Sequence, residues 1–182
     1  VDITSNDEFR SLKEFTAPKN GTYYAYALDK AGNRSDGVII KINNIDTEGP
    51  SIKLDYERRN SWTTQDFNLT FGCDSDSKTG CQDEVIYSIY DTSNGYRTSI
   101  KENVVVKART VSDTISVPND KYINTIDLIF TVKDNLNNQV TKEVKGIKVL
   151  IDKVNPKAII SIDKTEDRGW IRLKGYWFTV TV

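Results

Sequence analysis

The 182-residue chain carries 25 Lys and Arg against 26 Asp and Glu, and a net charge of −1 gives nucleic acid or an anionic membrane no electrostatic footing. Hydrophobic residues make up 37%, and no apolar run approaches the roughly 20 residues that span a bilayer. Histidine is absent, which removes the commonest general base, proton shuttle and metal ligand together, so no enzyme is expected.

Methionine is absent as well, and Val1, Asp2, Ile3 and Thr4 form neither a charged nor an apolar leader, so a mature or excised piece of a longer protein is expected. Along the chain, period-two apolar patterning is frequent and helical periodicity is hard to find. The first such run, from Gly21 to Leu28, closes on the turn cluster Asp29-Lys30-Ala31-Gly32-Asn33. Further strands are predicted near 51–56, 66–72, 84–90, 95–109 (one or two), 111–117, 122–133 and 139–151. Phe67, Leu69 and Phe71, then Val85, Tyr87 and Ile89, then Ile126, Leu128, Phe130 and Val132 alternate with polar residues, as on one-side-buried strands. The class is all-β, a sandwich. Cys73 and Cys81 sit eight apart; an oxidising compartment would close them into a small loop, the cytosol would leave them reduced, and metal binding by two thiols is the weaker alternative.

Self-similarity organises the chain further. Asp46-Thr47-Glu48-Gly49-Pro50 returns as Asp152-Lys153-Val154-Asn155-Pro156, 106 positions on. The Asp29 to Asn33 turn is echoed by Asp134-Asn135-Leu136-Asn137-Asn138, 105 positions on. Trp62, Phe67, Leu69, Thr70 and Phe71 are echoed by Trp170, Tyr176, Phe178, Thr179 and Val180. Residues 1–46 then read as the C-terminal part of one Ig-like domain, 47–152 as a complete one and 153–182 as the opening strands of a third. Pro50 and Pro156 fix φ and favour an extended preceding residue, which stiffens each joint.

The run Gly21-Thr22-Tyr23-Tyr24-Ala25-Tyr26-Ala27-Leu28-Asp29-Lys30-Ala31-Gly32-Asn33, a strand, and then Asp46-Thr47-Glu48-Gly49-Pro50 resembles the bacterial Ig-like repeats of surface proteins and adhesins. The span from Phe67 through Cys73 and Cys81 to Ile86-Tyr87-Ser88 is similar to that family's strand, acidic Ser-Gly turn and "YS" strand. Asp134 to Asn138 departs from the pattern by lacking the Ala-Gly, so its turn is open to a different shape. The resemblance implies an extracellular or cell-surface spacer in a stalk, adhesin or filament, and a disulfide between Cys73 and Cys81. Some such repeats bind calcium at their joints. Others carry Lys-Asn isopeptide crosslinks, for which no spacing here singles out a pair.

Calcium is thus the one cofactor candidate, with Asp29 or Asp134 and Asp46 or Asp152 supplying hard oxygens at the joints, although a site needs 6–8 oxygens and two or three are in view at each. The segment Asp74 to Gly80 reads as a solvated turn, because Lys78 stands where an EF-hand loop would place an oxygen ligand. Trp62 and Trp170 are expected to pack near strand starts rather than to act as sugar platforms. Residues 153–182 of one copy are expected to complete residues 1–46 of the next by strand complementation, with Trp170, Tyr176, Phe178, Val180, Tyr24 and Tyr26 at the contact. The link is either strand donation between separate copies, head to tail, or continuity within one longer repeated polypeptide, and the rival reading is a binding module, either a glycan- or host-binding adhesin or an accessory β-sandwich of a secreted enzyme.

Overall fold

The computed structural model describes residues 2–4, 15–162 and 178–181, with side chains over 15–158. Among the described residues there are twelve strands and no helix. The main body is a sandwich of seven strands: β4 (Ile52–Tyr56), β5 (Phe67–Cys73), β6 (Cys81–Asp91), β7 (Thr98–Val106), β8 (Thr110–Ile115), β9 (Tyr122–Asp134) and β10 (Gln139–Asp152). The stretch predicted over 95–109 is a single strand, β7. One sheet has the order β4-β5-β8 and the other β10-β9-β6-β7, all antiparallel. The chain crosses between sheets from β5 to β6, from β7 to β8 and from β8 to β9, as in an immunoglobulin sandwich whose fourth strand has joined the sheet opposite to its place in a constant domain.

The alternating residues build the core. Phe67, Leu69 and Phe71 of β5 face Val85 and Ile89 of β6 and Ile126, Leu128, Phe130 and Val132 of β9, all of them buried. The Phe71 ring lies 5.2 Å from Phe130 and 5.0 Å from Tyr87, tying the two sheets together. Burying each such side chain contributes about 1.5–3 kcal/mol. One buried cation joins the rim of this core. Arg59 donates to the carbonyls of Gln65, Val149 and Asp66 at 2.9, 3.1 and 2.7 Å, pairs with Glu57 Oε2 at 3.1 Å and stacks 5.2 Å over Phe67, so its charge is shared between one carboxylate and three backbone oxygens. Trp62, expected to pack near a strand start, stands half exposed there, edge-on to Tyr122 at 6.2 Å. It lies in the loop before β5, outside the alternation that fixes a strand residue's face.

Before the sandwich, β1 (Asp2–Thr4), β2 (Gly21–Tyr26) and β3 (Val38–Ile42) form a small sheet, with β1 parallel to β2 and β3 antiparallel to it. After it, β11 (Ile159–Ile162) pairs antiparallel with β12 (Phe178–Thr181). That pairing reproduces the register of β4 with β5. Ile160↔Val180 and Ile162↔Phe178 correspond to Leu54↔Phe71 and Tyr56↔Leu69, shifted by 106 positions on the first strand and 109 on the second.

Candidate metal centre at the joint

Three loops meet at the end of the sandwich that receives the connection from β3. Each is shaped by an aspartate whose side chain bonds its own backbone, the usual way Asp organises a turn. At the β9–β10 turn, Asp134 Oδ1 accepts the N–H groups of Leu136 and Asn138 at 2.9 and 2.8 Å, and its Oδ2 accepts Asn138 Nδ2 at 2.8 Å. The β2–β3 turn is built identically: Asp29 Oδ1 takes the N–H groups of Ala31 and Asn33, and Oδ2 takes Asn33 Nδ2, each at 2.8 Å. Gly32 has φ +90° and Asn137 has φ +68°. The second turn therefore does not differ in shape, because Asn tolerates the left-handed region nearly as well as Gly does.

In the disulfide loop, Asp76 Oδ1 collects the N–H groups of Lys78, Thr79 and Gly80 at 2.9, 2.7 and 3.1 Å. Cys73 and Cys81 are bonded to each other with Cα atoms 6.1 Å apart, which removes them as metal ligands and points to an oxidising, non-cytoplasmic environment. In the connection, Asp46 Oδ1 accepts Glu48 N–H at 3.1 Å, and its equivalent Asp152 accepts Val154 N–H at 2.8 Å. The connection is gripped from both sides. Asn20 exchanges two hydrogen bonds with Ile45, at 2.7 and 2.8 Å, and Asn138 Nδ2 donates to Asp46 O at 3.3 Å. Gly49 lies so close to β10 that a Cβ there would come 2.7 Å from Val140 and 3.2 Å from the Gln139 backbone.

The result is a cluster of carboxylates. One oxygen each from Asp46, Asp76 and Asp134 lie within 4.8 Å of one another. Asp134 is fully buried, the Asp46 side chain is only 4% exposed, and Asp46 Oδ2 is buried with no hydrogen-bond partner. An unpaired buried carboxylate oxygen costs the full desolvation of that atom, so this is the place where a ligand has most to offer. Burial pushes the Asp134 carboxyl up, but the donors of Asn138, Leu136 and Thr79 outweigh it and hold the group below the ordinary carboxylate value. Asp76 is held low by the N–H groups of Thr79 and Lys78. Carboxylates kept ionised at this spacing suit a hard cation: two ligands about 2.3–2.6 Å from one Ca2+ stand at most about 5 Å apart. The single cationic side chain bonded to the cluster among the described residues is Lys78, whose Nζ lies 3.1 Å from Asp46 Oδ1 and 3.0 Å from Glu48 Oε2.

Of the four aspartates expected at joints, Asp46 and Asp134 come together. Asp29 lies in its own exposed turn and Asp152 at the opposite end of β10, apart from the cluster. Asp76 is the member that sequence reasoning set aside with its loop as a solvated turn; the signal for it was an Asp inside a disulfide-clipped loop, held against the joint by the Ser51 N–H to Ser75 O bond of 2.9 Å. Of the residues expected at a contact between copies, Trp170 and Tyr176 lie outside the described residues, and Phe178 and Val180 fall on β12. On β2, Tyr23 and Ala25 stand 105 positions before Leu128 and Phe130 of the core, whereas Tyr24 and Tyr26 stand before the outward Ile129 and Thr131. Tyr26 is engaged by the Arg34 guanidinium 3.2 Å from its ring centre. The core-like face of β2 is thus that of Tyr23, not that of Tyr24 and Tyr26. Compared with known proteins, the chain matches no family model, no curated protein and no solved structure.

Proposed function

We propose that this chain is a non-enzymatic structural module of an extracellular or cell-surface protein, a length of shaft made of tandem Ig-like sandwiches of the bacterial surface-protein kind. The observation that carries the reading is the recurrence of the same local devices 105 to 109 positions on. The Asp29 and Asp134 turns share their hydrogen bonds, Asp46 and Asp152 share theirs, and β11–β12 repeats the register of β4–β5. A repeated unit with short joints transmits position and force along an axis. In the sandwich β5 lies over β9, and β12 of one copy laid against the β2–β3 sheet of another would bury Val38 and Ile40, which stand 62% and 42% exposed. A divalent cation, Ca2+ by donor type, would be held by Asp46, Asp76 and Asp134 and supply the positive charge that lets three carboxylates share one site, fixing the connection onto the sandwich. Sedimentation of the purified chain tests the head-to-tail reading: association that grows with concentration into open-ended oligomers supports it, and a monomer at every concentration contradicts it.

A second reading, a glycan-binding adhesin module, is favoured by one observation. Trp62 and Tyr122 form an exposed aromatic pair, 50% and 46% accessible, of the kind on which sugar rings stack. A glycan array with the wild type and Trp62→Ala separates the two readings, since a hit lost in the variant would replace the shaft by a binding surface.

A further inference from the structure

We infer that Lys78 sets the affinity of the Asp46, Asp76 and Asp134 site: its ammonium is a tethered occupant that a divalent cation must displace from Asp46. The inference rests on the calcium reading above and goes beyond it by naming the competitor. Lys78 Nζ bridges Asp46 Oδ1 and Glu48 Oε2 at 3.1 and 3.0 Å, so the carboxylate that the cation needs is already paired. The pairing is incomplete, because one ammonium serves Asp46 on one oxygen only and leaves Oδ2 buried without a partner. The geometry also keeps the ammonium at hand after it leaves. Asp76 Oδ1 holds the backbone of Lys78, Thr79 and Gly80, and the Cys73–Cys81 bond closes the loop around them. Only the side chain need move. It is 47% exposed and borders an open pocket of about 220 Å³ with Glu48, Ser51 and Ser75, so it retreats into water at little cost.

Two states of the joint follow. Without metal, Lys78 holds Glu48 and Asp46 to the disulfide loop. With metal, the cation takes Asp46 together with Asp76 and Asp134, and the lysine swings out. Displacing a resident charge raises the concentration at which the site fills, into the range of about 0.1–1 mM found for extracellular calcium modules, in which ligand charge count tunes the affinity.

The test is calorimetric titration of the whole chain with CaCl2, comparing the wild type with Lys78→Gln and Lys78→Arg, together with carbodiimide crosslinking of the wild type read by peptide mass spectrometry. Lys78→Gln should bind about 10-fold more tightly and Lys78→Arg like the wild type. In chelator, the crosslink from Lys78 to Glu48 or Asp46 should form readily, and saturating Ca2+ should suppress it by about 5-fold or more. If Ca2+ binds but the Lys78→Gln affinity matches the wild type, or the crosslink persists at saturation, the competitor role is overturned while the calcium site stands. If neither protein binds Ca2+, the calcium reading falls and takes this inference with it.

Discussion

The hairpins β2–β3 and β9–β10 close on the same hydrogen-bonded aspartate turn, yet they are covered to different extents. On β9, Leu128, Phe130 and Val132 are buried to 1% exposure or less beneath β5. On the small sheet Tyr23 is buried, 2% exposed beside Phe15 at 5.5 Å, but Val38, Ile39 and Ile40 of β3 remain 62%, 60% and 42% exposed. A short sequence is enough to write the turn. Burial of the strands behind it depends on a second sheet, and contacts between sheets are where a sandwich gains its stability. The same contrast applies to the turns themselves. Asp29 is exposed, whereas Asp134 is buried because the connection at Asp46 and the disulfide loop at Asp76 close over it.

The largest effect should come from breaking the covered hairpin. Phe130→Ala removes a ring packed on Phe71 and should cost about 3–5 kcal/mol in urea unfolding, while Tyr23→Ala in the separate small sheet should leave the main transition in place. Next is the clip that carries Asp76. Replacing both Cys73 and Cys81 by Ser should cost about 2–3 kcal/mol, measured the same way with and without reductant. Smaller still is the turn. In Asp134→Asn one of two carboxylate acceptors becomes a donor facing Asn138 Nδ2, which should lower the main thermal midpoint by about 4–8 °C, against about 2 °C or less for Asp29→Asn.

Acid sharpens the comparison. Asp134 and Asp76 are held below the ordinary value of 3.8, so the unfolded chain binds their protons first and their contribution is fully present above that value. It is lost as pH falls through the lowered values. Urea midpoints should therefore drop as pH falls below about 4, and Asp134→Asn should flatten that slope; an unchanged slope would show that the turn carries no acid sensitivity.

Most of the sandwich was legible because strands announce themselves by alternation: the residues at Phe67, Leu69, Phe71 and Ile126 to Val132 that alternate in sequence are the ones the core contains. Parity along a single strand was less secure. Tyr24 and Tyr26 lie on the face of β2 opposite to buried Tyr23, since one residue exchanges the two faces of a strand, and which face meets a second copy is a matter for the association test. Half of the site was legible as well, since Asp46 and Asp134 recur at the repeat spacing. Asp76, Lys78 and Arg59 were not, because what they touch is decided by loops far apart in sequence: Lys78 meets Asp46 across 32 positions and Arg59 meets Val149 across 90. The exposure of Trp62 was not legible for a related reason, as bulk in a loop says nothing about which surface the loop lies on.

On the proposed reading, the joint at Asp46, Asp76 and Asp134 is what would fix one sandwich to the next. The most direct test is a crystal structure of the intact chain grown with millimolar Ca2+. The expected result is one ion about 2.3–2.6 Å from an oxygen of each of Asp46, Asp76 and Asp134, with Lys78 turned into solvent. Lys78 still on Asp46 and no ion among the three carboxylates would contradict it.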